Sequence, residues 1–151
     1  MSQPTSPTIG DRGEPFELVV EAGKIREFAR ATKARAANWA GPDAISPPTF
    51  LTADRFWAGR DSRVLARAAI DWSRVLHGEE EYTFHGPPPA AGQRLTAREE
   101  VVDVFAKAGR RGGDMKFVVV RTEYRDAAGD LVAEVRHTVI ETSKAASDDR
   151  N

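Results

Sequence analysis

Two histidines flank a run of three glutamates in LHGEEEYTFHGPPPAAGQRL, residues 76–95. Histidine and carboxylate side chains in proximity bind metal ions or transfer protons, so this segment is a first candidate for chemistry. In an extended strand, His77 and His85 would share one face about 26 Å apart, at about 3.3 Å per residue. Bonds to a metal ion are only about 2 Å long, so these histidines cannot bind one ion together. The alternation instead predicts a scaffold strand with Tyr82 and Phe84 facing the core and the residues between them facing outward.

The sequence surroundings of His77 and His137 indicate different roles for these two residues. His77 stands beside Gly78, where the middle of the chain meets the predicted strand, and residues at such junctions often line clefts. Contact with a ligand and a structural role both remain open for His77. His137 shares its parity with apolar residues of its segment, so we expect a hydrogen-bonded core or interface residue. No histidine has a carboxylate at a sequence spacing that specifies a catalytic pair.

The composition is that of one soluble domain with little net charge. The chain has 151 residues, of which 40% are hydrophobic and 30% charged, with a net charge of −1. We therefore expect no nucleic-acid or membrane partner. There is no cysteine, which excludes disulfides and thiolate chemistry, and no cofactor is implied. The first residues, MSQPTSPTIG, lack the features of a signal peptide, so a cytoplasmic location is expected.

The chain divides into a short helical part, an irregular middle and a long β part. Apolar spacing predicts a helix from about Ala22 to Arg35, with a stripe formed by Ile25, Phe28, Ala29 and Thr32. Prolines in GPDAISPPTF prevent a regular helix or a central strand, and residues 40–76 are expected to form one or two short helices or a long ordered loop.

Long stretches rich in Val, Thr, Phe and Tyr follow, separated by glycine-containing hairpin loops. They predict a short strand over Glu80–His85 and long strands over Arg94–Ala106, Met115–Arg125 and Leu131–Glu141. The result is an α+β domain in which an antiparallel meander curls around a helix. We expect a flexible N-terminus at 1–10, the domain at 11–142 and a flexible tail at 143–151. A cone-shaped cystatin-like domain is the rival fold.

Three segments give a family resemblance: IREFARAT, then PPTF, then LHGEEEYTFHGPPPAAGQRLTAREEV. Together they resemble the N-terminal MaoC-type dehydratase group. That group includes the FAS1-like dehydratase domains and the non-catalytic subunits of R-specific hydroxyacyl-thioester dehydratases. The likeness covers roughly residues 10–142. It implies a hot-dog fold, a curled antiparallel sheet wrapped around a central helix, whose domains pair through their sheets as homodimers or as unlike halves.

The resemblance also tells where catalytic groups should be. Family members that hydrate enoyl thioesters carry Asp and His five positions apart in a GDxNPxH-like stretch after the FARA helix. Aligned from Phe28, this chain has Lys33, Ala34 and Trp39 where Gly, Asp and His are expected. Alanine cannot transfer protons, and the indole of tryptophan has only an N–H donor. The resemblance therefore implies that the catalytic pair is missing from this place.

The leading hypothesis is a hot-dog subunit that pairs with a catalytic MaoC-like chain, with an acyl-CoA or acyl-carrier-protein (ACP) thioester as substrate. The complex would dehydrate (R)-3-hydroxyacyl thioesters or hydrate enoyl thioesters, and this chain would have no catalytic residue. The expected substrate-binding residues are Pro48, Thr49, Phe50, Phe56, Trp57 and His77.

Two alternatives stay open. One is a homodimeric acyl-CoA hydratase or thioesterase with an atypical site, for which His77, Asp43 and Asp54 are the candidate acid–base groups. The other is a non-catalytic module that binds an acyl or other apolar ligand.

Overall fold

The computed structural model describes residues 5–34, 39–109 and 113–143 of the chain. The helix and strands are β1 (Phe16–Val19), α1 (Ala22–Ala31), β2 (Val75–Phe84), β3 (Arg94–Ala108), β4 (Asp114–Arg125) and β5 (Leu131–Thr142). Within residues 50–74, the structure forms four short 3₁₀ helices: Phe50–Phe56, Arg60–Ser62, Val64–Arg67 and Trp72–Arg74.

The strands form one antiparallel sheet in the order β1-β3-β4-β5-β2. The three long predicted strands are confirmed, because β3, β4 and β5 include the segments Arg94–Ala106, Met115–Arg125 and Leu131–Glu141. The predicted short strand is part of β2, which begins at Val75 rather than Glu80. Strand β1 was not predicted. Bulges at His77/Glu79 and Val101/Asp103 increase the local twist and help the sheet to curl.

Helix α1 packs its apolar stripe against the concave side of this sheet. Ile25 and Ala29 are buried, and the ring of Phe28 meets the ring of Phe50 edge to face with 5.7 Å between centroids. The helix ends at Ala31, earlier than predicted. Lys33 follows with a positive φ of 57°, a left-handed conformation that terminates helices. The predicted end, Arg35, lies outside the described residues.

Residues 39–74, before β2, lie over the concave face as short 3₁₀ helices joined by turns, where the sequence predicts one or two short helices or a long ordered loop. The 3₁₀ helix Phe50–Phe56 buries Phe50, Leu51 and Asp54. Residues 5–10, within the segment predicted to be flexible, also contact the domain. The carbonyl of Thr5 accepts a hydrogen bond from the Ala69 N–H at 2.8 Å, and the Gly10 N–H donates to the Val101 carbonyl at 2.9 Å.

The bulge at Gly78 determines which side chains of β2 face inward. It adds one residue to the strand, so His77 and Glu80 both face the concave side although their numbers differ in parity. A Cβ at position 78 would lie 2.9 Å from Cδ1 of Ile140, so a larger residue there would require the Ile140 side chain to shift.

Beyond the bulge, the inner and outer residues of β2 alternate as predicted. Tyr82 and Phe84 pack against the core, which confirms that prediction. His85 faces outward, where its Nε2 lies 3.0 Å from Oε2 of Glu134. The expectation that His77 and His85 share a face is wrong, because an unbroken strand was assumed.

Candidate functional site

A cavity of about 480 Å³ lies between the 3₁₀ segment and the concave face of the sheet. Volumes of roughly 300–1,000 Å³ are typical of small-molecule sites. Much of its wall is aliphatic and comes from three strands and the loop segment: Leu51, Leu65, Val75, Val120, Val135 and Val139. The cavity can therefore accept an apolar chain, while two polar clusters decide what else it accepts.

The first cluster is buried and joins Asp54, Arg63, Glu99 and Tyr124. The Tyr124 hydroxyl donates to Oδ2 of Asp54 at 2.7 Å, and Nη1 of Arg63 donates to Oδ1 at 3.0 Å. The same Nη1 lies 2.8 Å from Oε1 of Glu99. The N–H of Val64 donates to the other Glu99 oxygen at 2.8 Å. One guanidinium thus bridges two carboxylates at the wall of the cavity.

Burial dominates the electrostatics of this cluster. It raises the pKa of Asp54, against the opposing effects of Arg63 and Tyr124. It also raises the pKa of Glu99, against Arg63 and the Val64 N–H. Burial and the nearby Asp54 raise the pKa of Tyr124 well above its ordinary value, so the hydroxyl remains a donor. Each of these polar groups already has its hydrogen-bond or ion-pair partners within the cluster, which indicates a structural role.

Replacing Tyr124 by phenylalanine tests the strength of this cluster. We expect a loss of about 1.5–3 kcal/mol in the free energy of unfolding, because a buried hydrogen bond to a charged acceptor disappears. Urea unfolding measures the loss. The other tyrosine, Tyr82, provides the control: it is only half-buried, and Tyr82→Phe should cost less. Equal losses for the two variants would contradict a special role for the Tyr124–Asp54 bond.

The second cluster contains His77, His137 and Glu80 and lines the same cavity. The two imidazole rings meet edge to face with 5.1 Å between centroids. Glu80 lies directly opposite His137 in the β2–β5 pairing, so their side chains share the inner face. Tyr82 is close to Glu80, and burial together with that carboxylate raises the pKa of the Tyr82 hydroxyl.

The surroundings of His137 favour its neutral form, because they lower its pKa. Its half-burial lowers its pKa, and the nearby His77 acts in the same direction, against the effect of Glu80. A neutral imidazole has one donor and one acceptor nitrogen, and it can hydrogen-bond to a ligand or accept a proton. Among the residues that the structure describes, no group of three His, Cys, Asp or Glu side chains is placed to hold a metal ion.

Of the predicted substrate-binding residues, only His77 lines this cavity. Phe50 is buried in the core, and Pro48 and Thr49 are exposed on the turn before it. Phe56 is 72% exposed and touches the half-buried Trp57. Their assignment to substrate binding stays a prediction. Neighbours in the same segment line the cavity instead: Leu51, Thr52, Asp54 and Arg55.

The positions of the expected catalytic pair lie near the C-terminal end of α1. The Ala34 N–H donates to the Ala29 carbonyl at 2.8 Å, which closes the last turn. Trp39 is half-buried and packs against the main core. Residues 35–38, between them, lie outside the described part of the chain. Of the alternative acid–base candidates, Asp54 lines the cavity, whereas Asp43 is exposed on a turn.

Sequence reasoning missed the Glu80–His137 pair because its members are far apart in the chain and meet only through strand pairing. The parity of His137 with buried valines did place it on the inner face, where it lines the cavity half-buried; its role as a hydrogen-bonded core or interface residue stays a prediction. The bulge at Gly78, which brings His77 beside it, had no clear sequence signal except the glycine itself.

No helix in the described ranges has both the length and the apolar character required to span a bilayer.

Comparison with protein families identifies a broad match. Residues 7–135 match the model of the FAS1-like dehydratase domain region. Sequence relatives are UPF0336 proteins. That of Saccharopolyspora erythraea is 36% identical over 126 residues, covering 78% of this chain and 77% of the relative. That of Streptomyces coelicolor is 35% identical over 127 residues, covering 78% and 79%.

Solved structures show the same fold at low sequence identity. A chain of the HadBC (3R-hydroxyacyl-ACP dehydratase) complex from Mycobacterium tuberculosis superposes with a TM-score of 0.71 and 22% identity, covering 89% of this chain and 98% of that one. An (R)-hydratase from A. caviae superposes with a TM-score of 0.62 and 15% identity, covering 89% and 96%.

The predicted hot-dog fold is therefore confirmed by both the architecture and these neighbours. Since the family model spans most of the sequence, this chain belongs to the FAS1-like dehydratase domain family.

Proposed function

We propose that this chain is the non-catalytic subunit of a heteromeric MaoC-like dehydratase. It pairs with a catalytic hot-dog chain, lines the acyl pocket and leaves proton transfer to its partner. The complex interconverts (R)-3-hydroxyacyl and enoyl thioesters of CoA or ACP in the cytoplasm. The observation that carries this proposal is the combination of an acyl-sized cavity with Ala34 and Trp39 at the positions of the family's acid–base pair.

The sequence offers no substitute near these positions. No aspartate or histidine occurs between Gly23 and Pro42, so a small shift of alignment does not restore the pair. The methyl group of Ala34 cannot exchange protons, and the indole of Trp39 packs against the core. Hydration needs one group that activates water and one that protonates the α-carbon, so we assign both roles to the partner.

Strand β2 supplies the pairing edge. It is the last strand of the sheet, and in the described part of the chain only β5 pairs with it. Nearby, Trp72 is 57% exposed and Leu76 is 47% exposed, which is unusual for such large apolar side chains. A second hot-dog sheet that continues this edge would bury such surface. HadBC and the ChsH1–ChsH2 complex of M. tuberculosis, both similar in fold, are complexes of unlike chains by name.

The charge of this edge favours an unlike partner over a second copy. Three consecutive glutamates occupy the middle of the ten-residue strand Val75–Phe84. A two-fold axis near the middle of this strand would place the acidic runs of two copies side by side. Like charges opposite each other across strands are destabilising. A partner with a neutral or basic edge avoids this repulsion.

Neutralising the charges on the outer face of β2 tests the pairing model. Glu79→Gln combined with Glu81→Gln should strengthen self-association by up to about tenfold, or about 1.4 kcal/mol, because the repulsion between the two acidic edges is removed. Sedimentation equilibrium measures the dissociation constant. The matched control is Glu14→Gln with Glu17→Gln, which makes the same charge change near β1 at the opposite edge. A tight wild-type homodimer that the β2 variant leaves unchanged would contradict the model.

The second candidate function is a homodimeric hydratase or thioesterase with its own site. The observation that favours it is the presence of His77, His137 and Glu80 in one cavity. It predicts turnover by the purified lone chain that disappears with His77→Ala, while the proposed function predicts no such turnover. A pure binding module would be stabilised by thioesters without turnover in any mixture.

A further inference from the structure

The outer face of the sheet, opposite the concave side, carries an apolar row across three neighbouring strands. The pairing registers place Phe105 of β3 opposite Phe117 of β4, and Phe117 opposite Ile140 of β5. The two phenyl rings stack with 4.8 Å between centroids. All three side chains are only half-buried, whereas Val118 and Val139, which face inward beside them, are buried. Exposed apolar residues grouped in this way are typical of a contact with another protein.

Two flanking rows run parallel to the apolar row, two residues away from it on each strand. The flanking row nearer the β3–β4 hairpin consists of Lys107, Met115 and Thr142. The flanking row on the other side consists of Asp103, Val119 and Thr138. Each strand therefore carries a matching pair: opposite charges on β3, two apolar side chains on β4 and two threonines on β5.

This pattern is self-complementary about a two-fold axis that runs along the apolar row. Such an axis lays the outer face of one copy on the outer face of a second copy and exchanges the two flanking rows. Lys107 then faces Asp103 of the second copy, apolar side chains face apolar ones, and threonine faces threonine. An axis along the strands would instead bring Lys107 opposite Thr142, so only the first arrangement pairs the charges.

We propose that the outer face of β3, β4 and β5 binds a second copy of this chain about the axis along the apolar row. The strands of the two copies would then run nearly in line, as in sheets that pack face to face about 10 Å apart. This contact does not use the β2 edge, so it can coexist with a partner paired at that edge. It goes beyond the proposed function and does not depend on it.

The size of the patch sets the strength of the contact. Three strands about 4.8 Å apart and five residues of about 3.4 Å each give roughly 250 Å² per copy. Stable protein interfaces bury about 800 Å² per partner, so this contact is weak. The lone chain should therefore dimerise through its outer face only at high protein concentration.

Sedimentation equilibrium of the full chain over a wide concentration range tests the proposal. Phe105→Lys should weaken dimerisation by at least about tenfold, because the two copies of this residue meet near the axis and would bring like charges together. Phe56→Lys is the matched control. It makes the same change at a phenylalanine that is 72% exposed on the 3₁₀ helix Phe50–Phe56, away from the outer face, and should leave dimerisation unchanged.

A charge exchange tests the two-fold arrangement itself. Lys107→Asp and Asp103→Lys each place like charges opposite each other, and each should weaken dimerisation severalfold. Both positions are exposed, so the variants should keep the fold. Both substitutions in one chain restore opposite charges across the axis and should recover the wild-type dissociation constant.

Three results would overturn the proposal. They are a wild-type chain that stays monomeric at every concentration, a dimer that Phe105→Lys leaves intact, and a double variant that dimerises as weakly as the single variants. None of them bears on the proposed function, which co-expression with a catalytic chain tests separately.

Discussion

Replacing Arg63 by methionine should lower the free energy of unfolding by about 3 kcal/mol. Breaking a buried ion pair by removing one partner typically costs about 3–5 kcal/mol, because an unpaired charge remains buried. Here the side chains of Asp54 and Glu99 are 7% and 8% exposed, and both depend on the same guanidinium. Arg63 itself is 31% exposed, which allows water to replace part of its effect and places the loss at the lower end.

The pH dependence of this loss follows from the pKa directions. Burial raises the pKa of Asp54 and Glu99 in the folded state, so their contribution to stability is greatest below their unfolded pKa. It is lost as the pH rises through the folded values. Without Arg63, both folded pKa values rise further. The destabilisation should therefore be largest near neutral pH and shrink as the pH falls towards 4, the region of the unfolded pKa values.

Chemical unfolding at neutral and acidic pH measures both effects. Arg60→Met is the matched control, since Arg60 is an exposed arginine three positions earlier, and it should change stability by less than about 0.5 kcal/mol. Adding Glu99→Gln to Arg63→Met should restore part of the loss, because one unpaired charge is removed while the amide oxygen still accepts from Val64. Equal effects of Arg63→Met and Arg60→Met would show that the carboxylates do not depend on Arg63.

The parts of the fold that could be predicted are those with local signals. Strands β3, β4 and β5 combine alternation with glycine turns, and the positive φ of Gly113 and Gly129 at the hairpins agrees with that interpretation. Strand β1 has only four residues, too few for a reliable alternation. The predicted helix is too long because the spacing of Thr32 fits the apolar stripe. In the structure, the Thr32 hydroxyl donates a hydrogen bond to the Phe28 carbonyl at the helix end.

Two residues of the candidate site, His77 and Asp54, were singled out from the sequence. His77 was singled out from its junction with the strand, and the structure places it in the cavity. The aromatic and proline residues chosen beside it lie in the core or on the surface, because a 3₁₀ helix turns its side chains in directions that an irregular loop pattern does not specify. The Asp54–Arg63–Glu99 cluster joins two loop residues to a strand, and no local pattern signals such a contact.

The second large effect concerns catalysis by the pair of chains. General acid–base catalysis by a positioned group typically contributes about 10²–10⁴-fold to a rate, and hydration of an enoyl thioester uses two such groups. Co-expressed with a catalytic MaoC-like chain, this subunit should form a complex that hydrates crotonyl-CoA. Replacing the partner's aspartate and histidine should remove the activity. The substitution His77→Ala in this chain should leave most of the hydration activity of the complex.

The central claim is that this chain lacks proton-transferring groups for the reaction. The most direct test is the hydration rate of crotonyl-CoA with the isolated chain, purified without any partner and followed by the loss of enoyl absorbance. We predict a rate equal to that in buffer, and a much higher rate once the catalytic chain is added. Enzyme-like hydration by the isolated chain would contradict the claim.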